Sequence, residues 1–212
     1  MNDWLPRLPA LLIGLILATY WIRVLILVRR TKKQAGHHAN LVPEEKTGRV
    51  IRIIWIPVVF LWIVLPLLAG FGWLTDFAPL RPLFVEPIVQ WIAVVIGVVA
   101  FVITWICWRN MGKNWRMGID PKEKTQLVFT GPFAYVRNPI YGLSQLLAVM
   151  AVLIVPSPLM ILIGIVHITL MQWEVRREEV YLLATHGDPY AAYLNNVGRF
   201  LPRSLRAYRP QH

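Results

Sequence analysis

The sequence predicts an all-α integral membrane protein with about five transmembrane helices, the last two forming a hairpin. Three observations predict it. The 212 residues are 57% hydrophobic and only 16% charged, where a soluble domain carries about 25% charged residues. Several uncharged stretches are long enough to cross a bilayer, which takes roughly 20 apolar residues. The basic residues lie almost entirely on one side of those stretches. A mean hydropathy of +0.53 and 10 Trp fit the same class.

The elements follow in order. Leu8–Val28 holds one charge, Arg23. It is too long for the apolar core of a signal peptide. Arg29, Arg30, Lys32 and Lys33 follow it, and not a small-residue cleavage site, so it reads as a span. Ile53–Leu74 and Pro87–Trp108 hold no charge and are the second and third spans. Gly142–Trp173 is also uncharged, is 32 residues long, and is broken by Pro156-Ser157-Pro158. That pattern predicts a helical hairpin. Fifteen helical residues cover only about 22 Å, so each arm needs its flank: Ile140 and Tyr141 on one side, Trp173–Thr185 on the other. Trp173–Thr185 is read as a charged helix stopped by His186-Gly187-Asp188-Pro189. Pro189–Asn195 reads as one more short helix, with Tyr190 and Tyr193 at i, i+3.

The net charge is +11, and its placement carries the information. Arg29–Arg52 holds seven Lys/Arg, Arg109–Arg137 six, and the tail from Glu174 another six, against Arg7 and Arg81 on the opposite side. Nineteen against two puts the N-terminus outside and the two loops and the tail in the cytoplasm. The expected setting is a bacterial inner membrane. The excess charge then serves topology and anionic lipid head groups, and no basic soluble domain remains for nucleic acid. One membrane domain covers 1–212, with three spans and a cytoplasmic loop in 1–108. The lone Cys107 excludes a disulfide or Cys-based metal site within the chain. His37-His38 is the one adjacent His pair, and neighbours on a helix point apart, so no metal is expected. In the second loop, Asn110–Thr130, the breakers Gly112, Gly118 and Pro121 interrupt regular structure.

Polar residues concentrate in Gly131–Gly142 and in Glu174–Glu179, which flank the same hairpin. A hairpin brings its ends together, so Arg137 is expected near Glu178 and Glu179. Alone, Arg137 reads as a lipid-phosphate anchor, and Glu178-Glu179 as a solvated face paired with Arg176 and Arg177. Context favours a site. Pro132 and Pro139 bracket a non-helical segment at the membrane surface, where irregular backbone is tolerated if it lines a cavity. Phe133, Tyr135 and Tyr141 add flat faces and two hydroxyls, suited to an amphipathic ligand with a purine and charged ends.

Gly131-Pro132-Phe133, Arg137-Asn138-Pro139-x-Tyr141-Gly142, Glu178-Glu179-x-x-Leu182, His186-Gly187-x-x-Tyr190-x-x-Tyr193 and Arg199-Phe200-Leu201-Pro202 together resemble the isoprenylcysteine carboxyl methyltransferase family. The likeness covers about Gln126–Pro202. It implies a methyltransferase core over 109–212 with S-adenosyl-L-methionine as cofactor on the cytoplasmic side. By the same resemblance Gln126, Leu127, Val128 and Phe133 line the cofactor pocket, with Gly131, Pro132 and Tyr135 beside them. Arg137, Asn138, Pro139 and Tyr141 form one cradle, in which Arg137 offers a fork of donors to a carboxylate. Glu178, with Glu179, meets the cofactor's polar end. Trp173, Arg176 and Arg177 face the substrate. Arg137, Asn138 and Glu174 are expected nearest the reacting atoms. Asn138 stands where the prenylcysteine enzymes have His, and it cannot titrate near neutral pH, so other lipophilic acceptors come into range. His186 replaces the usual aromatic before Gly187.

An anionic acceptor needs alignment and a dry site more than acid–base help. For a phenol or amine, Glu174 and His167 are the candidate bases. The acceptor is expected to enter laterally from the bilayer. Two other readings remain. One is a membrane NADPH-dependent reductase of the sterol type, which has a similar Arg-x-Pro-x-Tyr region in a longer chain. The other is a non-enzymatic membrane scaffold without a defined pocket.

Overall fold

The computed structural model describes residues 4–35, 46–73, 78–115 and 126–210. His37-His38, Gly118 and Pro121 lie outside these residues. Among the described residues there is no β-strand, and six α-helices carry the architecture: α1 Leu8–Ala35, α2 Lys46–Phe71, α3 Pro87–Met111, α4 Pro139–Ile154, α5 Pro158–His186 and α6 Asp188–Asn196. α1, α2, α3 and α5 are long and apolar enough to cross a membrane. α4, at 16 residues, spans about 24 Å, short of the roughly 30 Å hydrocarbon core.

The bundle is apolar inside and outside. On α3 the small residues Ala93, Gly97, Ala100 and Thr104 are buried, while Ile88, Ile92, Val95, Val99, Val102 and Ile106 are exposed. Large aliphatic side chains facing outward at helical spacing are stable against lipid tails, not against water. α1 packs on α2 and α3, α3 on α4, α4 on α5, and α5 back on α2, which closes a ring of neighbours. Arg23, the charge inside the first span, stands over the Trp105 ring at 4.7 Å.

The hairpin forms where the sequence places it. Pro156-Ser157-Pro158 ends α4 and starts α5. The Ser157 hydroxyl accepts from the Met160 amide at 3.2 Å, and Pro158 occupies the first helical position, where its missing N–H costs nothing. Gln90 on α3 pins the tip by donating to the Ile154 carbonyl at 2.9 Å. As expected, α4 takes in Ile140 and Tyr141, starting one residue earlier at Pro139, and α5 runs unbroken through the charged segment to His186. Both arms therefore deliver their polar ends to the basic end of the bundle.

Candidate active site

Gly131–Gly142 is a saddle at that basic end. Gly131 takes φ +59°, a left-handed conformation that L side chains disfavour, and a Cβ there would strike the Asn110 amide of α3. A 3-10 turn, Gly131–Ala134, follows with Pro132 in its first turn. Tyr135 then turns, Val136 bridges to Gly198, and the chain bends at Arg137 and Asn138 before Pro139 opens α4. Onto this saddle the segment after α6 folds back. The amides of Arg137 and Asn138 donate to the carbonyls of Gly198 and Arg199 at 2.8 and 3.0 Å, and the Tyr208 amide donates to Ala134 at 2.9 Å. Tyr190, Tyr193 and Val197 form a small second core with Leu127, Phe129 and Tyr208. Tyr190 and Tyr193 share a face because i, i+3 residues are neighbours on a helix. Burial, reinforced at Tyr190 by Glu179 and Glu178, raises both phenols above their ordinary range, so they act as donors and not as bases.

Glu179 is the anchor of this cap. Arg137 Nε and Nη2 donate to its Oε1 at 3.2 and 3.0 Å. Asn138 Nδ2 reaches the same oxygen at 2.8 Å. Arg199 donates to Oε2 from Nη2 at 2.6 Å and from Nε at 3.0 Å. The Arg137 and Glu179 side chains are 6% and 7% exposed. Arg137 Nη1 serves the backbone carbonyls of Leu194, at 3.0 Å, and Val197. The expectation that Arg137 presents its fork to a ligand carboxylate is thereby corrected. All three of its nitrogens bind the protein itself, and its place is a buried clasp between α4, α5 and the returning C-terminal segment.

Beneath this cap lies a cavity of about 170 Å³ where the basic ends of α1 to α5 meet α6. α5 contributes a single stripe, Met171, Glu174, Glu178 and Leu182, at the 3-and-4 spacing that keeps residues on one helix face. Glu178 accepts from the Tyr141 hydroxyl at 2.7 Å. Glu174 accepts from Arg177 at 2.8 Å. Glu178 and Glu179 are adjacent on the helix and so point about 100° apart, one to the cavity and one to the clasp. Gln126, Leu127, Val128, Phe133, Asn138 and Pro139 line one side, with Tyr190 and Tyr193. Tyr20 and Trp21 of α1, Arg52 and Trp55 of α2, and Trp108 of α3 line the membrane side. The Trp21 Nε1 is buried without a hydrogen-bond partner among the described residues. A buried donor left open is costly unless a ligand completes it.

Two carboxylates, a cation, aromatic faces and an open donor make a lining that suits a ligand carrying an aromatic base, positive charge and a carboxylate. Residues 88–188 match the family described as phospholipid methyltransferase. This stretch is similar to that family. It is just under half of the chain and runs from the start of α3 through the hairpin to the end of α5. The phospholipid methyltransferase family is a family of membrane methyltransferases that generally use S-adenosylmethionine, and four helices of this chain are long and apolar enough to cross a membrane. No curated protein matches the sequence.

Within the phospholipid methyltransferase stretch and its flanks, the predicted residues divide. Gln126, Leu127, Val128, Phe133, Arg137, Asn138, Pro139, Tyr141, Glu174 and Glu178 come together at the cavity. Gly131, Pro132, Tyr135 and Glu179 do not line it; they build the saddle and the clasp that close it. Trp173 and Arg176 lie exposed on other faces of α5, and Arg177 is not in the cavity lining but bonds Glu174, which is. His167 is fully buried, takes a hydrogen bond from Trp55 Nε1 at 3.2 Å and meets Ser144 Oγ at 3.0 Å. It is not part of the cavity wall, so Glu174 is the base candidate that stands at the site. Sequence reasoning missed Tyr20, Trp21, Arg52, Trp55 and Trp108. The signal was present as a cation and an aromatic one helical turn apart on α2, Arg52 and Trp55, and as two aromatics side by side on α1, Tyr20 and Trp21.

Proposed function

We propose that the cavity binds S-adenosyl-L-methionine and directs methyl transfer to a lipophilic acceptor that enters from the bilayer, on the cytoplasmic side. One observation carries this reading: a partly open, mixed-charge cavity takes most of its lining, Trp108 to Leu182, from the stretch that matches the methyltransferase family. Bound S-adenosylmethionine supplies an electrophilic methyl group on a sulfonium.

The chain's own residues supply the rest. Glu174 and Glu178 present paired carboxylates that favour a cationic ligand over a neutral one. Phe133, Tyr190 and the backbone of Gln126–Val128 offer a flat face and polar edges for an aromatic base. The clasp of Glu179 with Arg137, Asn138 and Arg199 holds the cap over the site and excludes water, which strengthens every electrostatic contact inside. An acceptor that arrives as an anion needs no base. One that arrives as an amine or phenol must lose a proton, and Glu174 is the carboxylate placed to take it. Asn138 cannot take that role, because an amide does not titrate and its NH₂ is held by Glu179.

The test uses membrane vesicles of both orientations, doped with prenylcysteine, a long-chain phenol, a long-chain thiol and phosphatidylethanolamine. S-adenosylmethionine labelled in its methyl group is added outside. Label is expected in the organic extract of inside-out vesicles. Label only in right-side-out vesicles would reverse the orientation, and no label in either would sink the transferase reading.

A further inference from the structure

Among the described residues, Arg52 is the one charged residue of the cavity wall whose side chain is not hydrogen-bonded within the protein. It is 9% exposed, and α2 carries it two turns in from Lys46. Among the described residues it makes no hydrogen bond and no ion pair. Its guanidinium lies 5.1 Å from the centre of the Trp55 ring. Glu174 acts on it electrostatically, yet Glu174 is bonded to Arg177. Arg137, the other cation of the wall, has its donors occupied by Glu179, Leu194 and Val197.

A second observation falls at the same place. Trp21 packs edge-on against Trp55 with ring centres 5.1 Å apart, and Trp21 Nε1 is buried without a hydrogen-bond partner among the described residues. Arg52 and Trp21 thus lie against one ring, both line the cavity, and both hold donors that nothing described accepts. A buried cation without a hydrogen-bonded partner is costly, and an open buried donor adds to that. Both costs fall when an anion occupies the space between. A guanidinium grips a carboxylate or phosphate by two parallel hydrogen bonds, and it is less strongly hydrated than an ammonium, so it suits a site at membrane depth.

We propose that Arg52, assisted by Trp21 Nε1, is the anion-binding residue of the cavity and holds a carboxylate or phosphate of the bound ligands. This rests on the cavity being the methyl-transfer site. Two anions are chemically equivalent there: the carboxylate at the amino-acid end of the cofactor, and an acidic head group on the acceptor. Either way, the anion is drawn to the membrane side of the cavity, opposite the cap and Arg137.

Calorimetry in neutral maltoside micelles separates the two sources with three probes. S-adenosylhomocysteine carries the amino-acid carboxylate. 5′-Methylthioadenosine keeps the nucleoside and thioether without it. Dihexanoyl phosphatidic acid, below its micellar concentration, presents a lipid phosphate. Arg52→Met keeps length and apolar packing but removes the charge. An S-adenosylhomocysteine affinity lowered about tenfold to a hundredfold, with methylthioadenosine unchanged, assigns the cofactor carboxylate to Arg52. A similar loss confined to phosphatidic acid assigns the acceptor's head group. Wild-type affinity for both anionic probes in Arg52→Met overturns the proposal. Should melting curves show that Arg52→Met does not fold, Arg52→Lys decides: it keeps the charge and loses the fork, and it must weaken one anionic probe or the proposal fails. A wild-type protein that binds neither nucleoside defeats the transferase reading separately, and the phosphatidic acid arm then judges Arg52 alone.

Discussion

Glu179→Ala is expected to cost about 3–5 kcal/mol of stability, because it breaks a buried ion pair by removing one partner. Arg137 is left with its charge 6% exposed and no carboxylate, and Asn138 and Arg199 lose their acceptor as well. The Gly198 and Arg199 carbonyls still accept from the Arg137 and Asn138 amides, so the saddle keeps part of its backbone pairing. The loss should therefore appear in the C-terminal cap. Thermal melts in detergent check the size. Limited proteolysis should release the region around α6 while the α1–α5 bundle stays intact. Arg137→Lys should show a smaller loss, since an ammonium keeps the charge but cannot serve Glu179, Leu194 and Val197 together. A melting temperature unchanged in both variants would mean that the clasp holds nothing.

Glu178→Ala is expected to abolish S-adenosylhomocysteine binding while the protein stays folded. The residue lies one position from Glu179 but faces the cavity, where it accepts from Tyr141 at 2.7 Å. Losing a charged partner in a shielded site costs roughly 2–5 kcal/mol, about thirtyfold or more in affinity. Tyr141→Phe is the internal comparison. It removes the hydroxyl and leaves the carboxylate, so it should weaken binding far less. Calorimetric affinities for the two variants that match wild type would reduce Glu178 to a solvated helix face.

The fold was legible because its determinants are local. Pro156-Ser157-Pro158 lacks two amide donors and supplies a helix cap, so the hairpin tip could be placed without tertiary knowledge. The stop at Gly187 likewise follows from a residue that accepts φ +61°. Proximity of Gly131–Gly142 to Glu174–Glu179 followed from the hairpin alone. The partner assignments did not. Which of two adjacent acids faces the clasp depends on where the segment after α6 returns, and the carbonyls of Leu194 and Val197 that occupy Arg137 carry no sequence signal. Arg52 was hidden for another reason. In the sequence it reads as the last charge of a basic loop before the apolar run at Ile53. In the fold α2 starts at Lys46, so the same residue sits inside the helix, against Trp55 and over the cavity. The position of a helix start, invisible to hydropathy, turned a topology signal into a wall of the site.

Titration of the wild-type protein with S-adenosylhomocysteine and with NADPH, in one detergent and at one salt concentration, tests the methyl-transfer site most directly. Saturable binding of S-adenosylhomocysteine at one site per chain, without measurable heat from NADPH, is the predicted result. Binding of NADPH without S-adenosylhomocysteine would contradict it and turn the cavity into a reductase site.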